Sequence, residues 1–241
     1  MPGFKRVLSV MAQLYRERRS EVIASSTELL KHVRYSHFSP LDDSLHTLTS
    51  NLLDQAFRTL LPQFDHNHGG FGAAPKFPQP MNLEFLLRYH LRGAQGQALQ
   101  MVEDTLTAMA RGGIYDHLGG GFHRYSTDNV WLVPHFEKML YDNALLARLY
   151  LHAYLVTGNV LYKGICEGTL DYVLREMTGP HGGFYSSQDA DSEGEEGKYF
   201  VWSSEEVEAL LGEDARVFRA YYGVTDGGNF EGNNILHIAQ A

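Results

Sequence analysis

Apolar positions recur at helical spacing over most of the chain. Residues 3–32 read as one helix, basic in its middle, followed by a polar link, RYSHFSP. A second helix is expected from Ser39-Pro40, with an acidic first turn and an apolar stripe of Leu45, Leu48, Leu52, Leu53, Phe57, Leu60, Leu61 and Phe64. After the Gly/Pro loop HNHGGFGAAPKFPQP come two shorter helices, near 81–92 and 97–110. The second carries Leu99, Val102, Leu106 and Met109 on one stripe. A long loop, RGGIYDHLGGGFHRYSTDNVWLVP, then leads into a helix that the pattern starts at Pro134, a residue suited to the first helical position. Past the turn TGN, residues 160–178 set Leu161, Ile165, Tyr172, Val173 and Met177 against Lys163, Glu167, Asp171 and Glu176.

The stretch 131–156, WLVPHFEKMLYDNALLARLYLHAYLV, is unusual. Its second half is apolar almost all round, while its first half crowds His135, Glu137, Lys138, Asp142 and Asn143 together. The bland reading of Lys138 is an i,i+4 ion pair with Asp142. Further on, 183–202 has aromatic arms around an acidic, Gly-containing centre and predicts a β-hairpin with an exposed tip. SSEEVEALLG restarts a helix with a Ser cap and an acidic first turn.

A recurring punctuation organises these elements. HGGFG, GGGFH, HGGFY and the looser GGNFEG each follow a helix, roughly 50 to 60 residues apart, which is room for a helical hairpin with its loops. Buried helices alternate with half-polar ones, as two concentric rings require. The expected fold is therefore mainly α, a toroid of helical hairpins with the Gly-Gly-Phe loops at one end and a small β-hairpin near 183–202. A stacked α-solenoid is the competing architecture, with shorter and less Gly-rich loops.

Charge and composition narrow the function classes. The net charge of −9 and the lack of Lys/Arg runs beyond RERR argue against nucleic acid and against a grip on anionic lipid. The one cysteine, Cys166, leaves neither an internal disulfide nor a dithiol, so redox chemistry by this chain is excluded. No signal peptide is visible, and Asp142, Asn143, Arg148 and His152 interrupt the longest apolar stretch. A soluble, cytoplasmic protein without a cofactor is expected.

GGFGAAPKFPQP, GGIYDHLGGGFHRYSTDNVWLVPHFEKMLYDNALL and GGFYSSQDADSEGEEGKYFVW resemble the signature segments of the thioredoxin-domain-containing, spermatogenesis-associated protein 20-like family. The resemblance runs from about residue 68 to 237, with the motifs in family order. It implies a thioredoxin-like domain followed by a six-hairpin (α/α)6 toroid, similar to N-acylglucosamine 2-epimerases and six-hairpin glycosidases. On that reading residues 1–36 correspond to the closing helix of a missing thioredoxin-like domain plus linker. Residues 37–241 would be the first half of the toroid, so that the missing domain and the second half are the expected partners. An open half-ring would expose apolar faces of its inner helices.

The resemblance also implies a site in a funnel lined by inner-helix ends. His135 and Glu137 would face it as acid/base groups, since a His beside a carboxylate can be tuned towards neutrality. Asp189 and Asp191 are expected to reach them from the hairpin, leaving Glu195 and Glu196 as a solvated tip. His117, His123, Arg124, Tyr125, Trp131, Asp142 and Lys76 are candidate substrate contacts, because sugar recognition combines aromatic faces with planar hydrogen-bonding groups. The bland alternative for the long loop is that its own hydrogen bonds pin it. The spacing of His117, His123 and His135 fits no standard metal pattern, so no metal is expected. DADSEGEEG mimics half a calcium loop but has Phe200 where the bidentate Glu belongs. Two functions stay open: an epimerase-, isomerase- or glycosidase-like toroid acting on a small sugar, and a non-catalytic binding or scaffold toroid.

Overall fold

The computed structural model describes residues 3–37, 51–93 and 96–239, and the chain divides into two compact units, Met1–Leu52 and Leu53–Ala241. In the first unit the expected single helix is two, α1 (Phe4–Glu17) and α2 (Arg19–His37). Arg18 leaves the helical region at φ −132° and ψ 41°, although its N–H still reaches the Leu14 carbonyl. The Ser39-Pro40 helix start lies outside the described residues.

The second unit begins within α3 (Asn51–Leu60) and continues through α4 (Pro80–Gly93), α5 (Gly96–Arg111), α6 (Leu140–Thr157), α7 (Val160–Glu176), α8 (Ser204–Leu211) and α9 (Ala215–Tyr222). Helix α4 packs along α5, α6 along α7, and α4 against α6. Leu83, Leu86, Leu87, Met101, Val102, Leu106, Leu146, Leu149, Tyr150, Tyr162 and Ile165 form one continuous core from these four helices. Gly158, at φ 73°, ends α6, and the Asn159 side chain caps α7 by accepting from the Leu161 N–H. Ser203 and Glu206 form the capping box that opens α8, as its sequence predicts. One stripe of α6 (Tyr141, Ala144, Arg148, Leu151, Leu155) is exposed. Leu155, on that stripe, is 70% exposed.

Helix α6 does not start at Pro134. Residues 134–139 are extended: β2 (Pro134–His135) pairs antiparallel with β1 (Tyr125–Ser126), and β3 (Lys138–Met139) with β4 (Ser187–Gln188). The small hairpin expected within 183–202 is present, but shorter than its arms suggest. Only its tip, β5 (Asp191–Ser192) against β6 (Glu195–Glu196), pairs with itself. Its first arm joins β3, and its second, β7 (Val201–Trp202), joins β8 (Asn234–Ile235). Short pairings that tie loops of different hairpins to one another leave no local alternation long enough to read.

Two of the Gly-Gly loops are copies of one another. Phe64 bridges to Phe71 and Tyr115 to Phe122. Inside each loop an Asp side chain accepts two turn N–H groups: Asp65 from Asn67 and His68, Asp116 from Leu118 and Gly119. The same Asp backbone bonds the second glycine, Gly70 or Gly121, through its N–H at 2.9 and 3.0 Å. A lysine from a later segment closes each loop. Lys76 Nζ donates to Asp65 (2.7 Å) and the Gly69 carbonyl (2.9 Å); Lys138 Nζ donates to Asp116 (2.7 Å) and the Gly120 carbonyl (2.9 Å). The third loop bridges Thr178 to Phe184 and has Gly179 where the other two have an aspartate.

Candidate functional site

Because 134–139 is extended, its side chains alternate between two faces. His135 and Glu137 are partly exposed on one face, while Phe136 and Lys138 are buried on the other. This resolves the crowding of polar residues ahead of α6: His135, Glu137 and Lys138 do not share a helix turn, and Lys138 points away from the other two.

On the outer face, His135 Nδ1–H donates to Glu196 Oε1 at 2.6 Å, and its Nε2 lies 3.6 Å from Glu137 Oε2. Glu137 in turn accepts from Arg124 Nη1 at 2.7 Å. The imidazole stacks on Tyr125 (5.0 Å between centroids, 25°), and Tyr125 on Phe77 (4.7 Å, 31°). Phe77 is 44% exposed, so this aromatic row is open to solvent at its Phe77 end. Asp142 lies in the first turn of α6, where burial pushes its carboxyl up to about 6 while Arg124 pulls the other way. Arg124 Nε is a buried donor without a partner.

Of the sequence candidates, His135, Glu137, Arg124 and Tyr125 thus converge, with Asp142 electrostatically coupled to them. Asp189 and Asp191 do not supply the carboxylate that meets His135. Asp189 accepts from the Asp191 N–H, and the residue that reaches His135 is Glu196, expected to be a solvated tip. Asp191 and Glu196 face each other across the β5–β6 ladder, so the direction of that hairpin decides which acid arrives, and the sequence does not fix it.

The remaining candidates lie elsewhere. Lys76 is fully buried, and Asp65, Gly69 and Asn129 take its three donors. Trp131 is also fully buried, at φ 68°, its Nε1 donating to the His68 carbonyl and its ring under the Lys76 ammonium. Neither offers a face to a sugar. Lys138 pairs with Asp116 and not with Asp142, since an i,i+4 pair needs a helix that starts only at Leu140. Asp128 follows the bland reading of the loop, its carboxylate accepting from the Val130, Leu132 and Val133 N–H groups.

On the inner face, His123 Nδ1 meets the Phe136 carbonyl at 2.9 Å, and His117 Nε2 meets the Gly112 carbonyl at 2.9 Å. Both imidazoles are held below their usual pKa by burial, His123 down to about 3 with the Lys138 charge adding to the effect. Burial opposes ionisation of Asp116, yet Lys138 and the turn N–H groups outweigh it and hold the carboxyl below its ordinary range. Burial also draws Lys138 down, opposed by the Asp116 carboxylate at 2.7 Å, while the Tyr172 and Phe200 rings lie 4.4 and 4.8 Å from its ammonium. Among the described residues no group of three His, Cys, Asp or Glu side chains could hold a metal ion, and no helix is long and apolar enough to cross a membrane.

No family model matches the chain. Spermatogenesis-associated protein 20 of Homo sapiens is 38% identical over 270 residues, covering 98% of this chain and 34% of its own length. The Mus musculus protein of that name is 38% identical over 251 residues, covering 94% of this chain and 31% of its own. The chain belongs to the spermatogenesis-associated protein 20 family. It spans about a third of the length of these relatives. Among solved structures, a sugar epimerase from a ruminal bacterium matches with TM-score 0.52 at 12% identity, over 66% of this chain and 47% of that one. Cellobiose 2-epimerase from Bacillus thermoamylovorans matches with TM-score 0.51 at 13% identity, over 58% and 40%. The Spirochaeta thermophila enzyme of the same name matches at 0.50 and 20%, over 59% and 41%. These likenesses show the fold: this member of the family contains part of an (α/α)6 toroid.

Proposed function

We propose that the outer face of 134–139 is a carbohydrate site with acid/base chemistry, of the epimerase, isomerase or glycosidase kind, within a larger protein. One observation carries this reading. A His–carboxylate dyad, His135 with Glu196, adjoins an open row of aromatic rings, Phe77, Tyr125 and His135 itself. Aromatic faces take up the apolar C–H faces of a sugar ring, and an ion pair such as Arg124–Glu137 offers donors and acceptors to its hydroxyls. Glu196 fixes the imidazole with Nδ1 protonated, which turns Nε2 towards Glu137 and whatever lies beside it. In this reading His135 moves a proton to or from the sugar and Glu137 orients it. Asp142, with its carboxyl near 6, is a second group able to hold a proton close to neutrality. The names of the structural neighbours, sugar epimerases, point to the same substrate class.

Calorimetric titration of the chain with a panel of mono- and disaccharides tests the proposal, each binder being repeated with His135→Ala. Binding that the substitution abolishes supports it. Binding that survives, or a folded protein that takes no sugar, returns the toroid to a scaffold role beside a thioredoxin-like domain.

A further inference from the structure

A cavity of about 510 Å³ opens on the inner face of 134–139, lined by Phe136 and Lys138 but not by His135 or Glu137. That volume suits a small organic molecule. Its walls are aromatic: Tyr115, Phe136, Tyr172, Tyr199, Phe200 and Trp202 all line it. So does His123, which is 2% exposed.

The tautomer of His123 follows from its partner. A ring nitrogen at 2.9 Å from a carbonyl must carry the proton, so Nδ1–H donates to Phe136 and Nε2 keeps its lone pair. Among the described residues nothing donates to Nε2, and the only side-chain polar atom both sealed from solvent and unpaired is Arg124 Nε. Nε2 is therefore reachable, and the cavity is where it is reached.

The charges around the cavity are answered locally. Asp116 pairs with Lys138, Arg175 with Glu176 (2.8 Å) and Lys198 with Glu193 (2.8 Å), while Glu206 serves the α8 capping box. A charged guest would find no free counter-ion and would lose its hydration. An acceptor without a donor, by contrast, asks for one.

We propose that this cavity binds an uncharged planar ring bearing an N–H or O–H donor, stacked among the aromatic walls with its donor on His123 Nε2. The site is separate from the carbohydrate face and does not depend on that reading. The test titrates the full 241-residue chain with phenol, benzene and benzoate, following heat and the ¹⁵N shift of His123 Nε2. Phenol is expected to bind at least about five-fold tighter than benzene, the worth of roughly one net hydrogen bond. Benzoate should not bind measurably, and the Nε2 resonance should move with phenol alone. His123→Phe should bring phenol down to benzene, and Tyr199→Ala, at an exposed wall, should weaken both by a similar factor. If His123→Phe does not fold, the phenol–benzene ratio and the Nε2 shift decide by themselves. Equal binding of phenol and benzene, tighter binding of benzoate, an unmoved Nε2 resonance, or no binding of any probe would each overturn the proposal.

Discussion

The loops at 64–71 and 115–122 are built from the same parts, an aspartate turn, two glycines in the left-handed region and a lysine from a later segment. They differ in what surrounds the lysine. Lys76 has a third acceptor, the Asn129 carbonyl, and its ammonium lies over Trp131, so every N–H is used inside the protein. Lys138 has two acceptors and two ring faces, and it borders a cavity. One lock is closed and the other opens on a space. The same local chemistry is structural in the first loop and part of a pocket wall in the second.

The sharpest way to break this comparison is to remove each lysine. Lys76→Met strands a partly exposed carboxylate and two carbonyls around a fully buried site, and should cost about 2–4 kcal/mol in urea unfolding. Lys138→Met should fall at the lower end of that range, because it strands one carbonyl where Lys76→Met strands two, with carboxylates of matching exposure. Adding Asp116→Asn to Lys138→Met keeps an oxygen for the turn N–H groups and removes the unpaired charge, so about half of the loss should return. Equal losses for the two lysines would mean that the third acceptor of Lys76, the Asn129 carbonyl, carries no weight.

A smaller effect tests whether the copies match in packing. A Cβ on Gly70 would come within 2.5 Å of the Trp131 ring, and one on Gly121 within 2.4 Å of the Tyr172 ring; both glycines are at φ 80°. Left-handed strain of ~1–2 kcal/mol plus repacking of ~1–3 kcal/mol puts each Gly→Ala at ~2–5 kcal/mol by chemical denaturation. Gly72, at φ 76° with open space around it, should show the strain alone when changed to Ala, ~1–2 kcal/mol. A common loss at all three would show that the ring contacts carry no weight.

The sequence makes the helices legible because their apolar residues repeat at 3.6, as in α5 with Val102, Leu106 and Met109. It brings out His135, Glu137, Arg124 and Tyr125 as candidates because they lie in or just after a long Gly-rich loop. What it hides is set by pairing at a distance. Pro134 is an acceptable first helical residue, and nothing nearby says that 138–139 will instead pair with 187–188, fifty residues on. That misplaced start turns Lys138 towards Asp142 in the sequence reading when its partner is Asp116. Glu196 is missed for the same reason: five acids lie between 189 and 196, and only the β5–β6 register chooses among them.

The two faces of 134–139 should also titrate in opposite senses. His123 is neutral when folded, with its pKa down at about 3, so below about 6.5 the unfolded chain takes up a proton that the folded one refuses. Stability contributed at this residue is therefore lost as pH falls from 6.5 towards 3, and His123→Phe should flatten that limb. Asp142 is raised to about 6, so the folded chain holds a proton that the unfolded one has released above 3.8. The wild type should then gain on Asp142→Asn as pH falls through 6. Its partial exposure keeps this second slope the shallower of the two. Urea midpoints from pH 8 to 4.5 read both, and slopes of the same sign would contradict the assignment of faces.

The smallest effects on stability belong to the outer face. Arg124, Glu137 and Glu196 have side chains 38%, 24% and 49% exposed, so water screens their pairs. Glu137→Gln and Glu196→Gln should each shift the unfolding free energy by less than ~1 kcal/mol. If the outer face is a sugar site, the same substitutions should abolish or weaken sugar binding at least ten-fold, because Glu196 sets the imidazole tautomer and Glu137 stands at its other nitrogen. A residue that matters for folding and not for binding belongs with the Asp–Lys locks. One that matters for binding and not for folding has been placed there by the alternation of an extended segment, which turns Phe136 and Lys138 into the protein and leaves His135 and Glu137 free to meet a ligand.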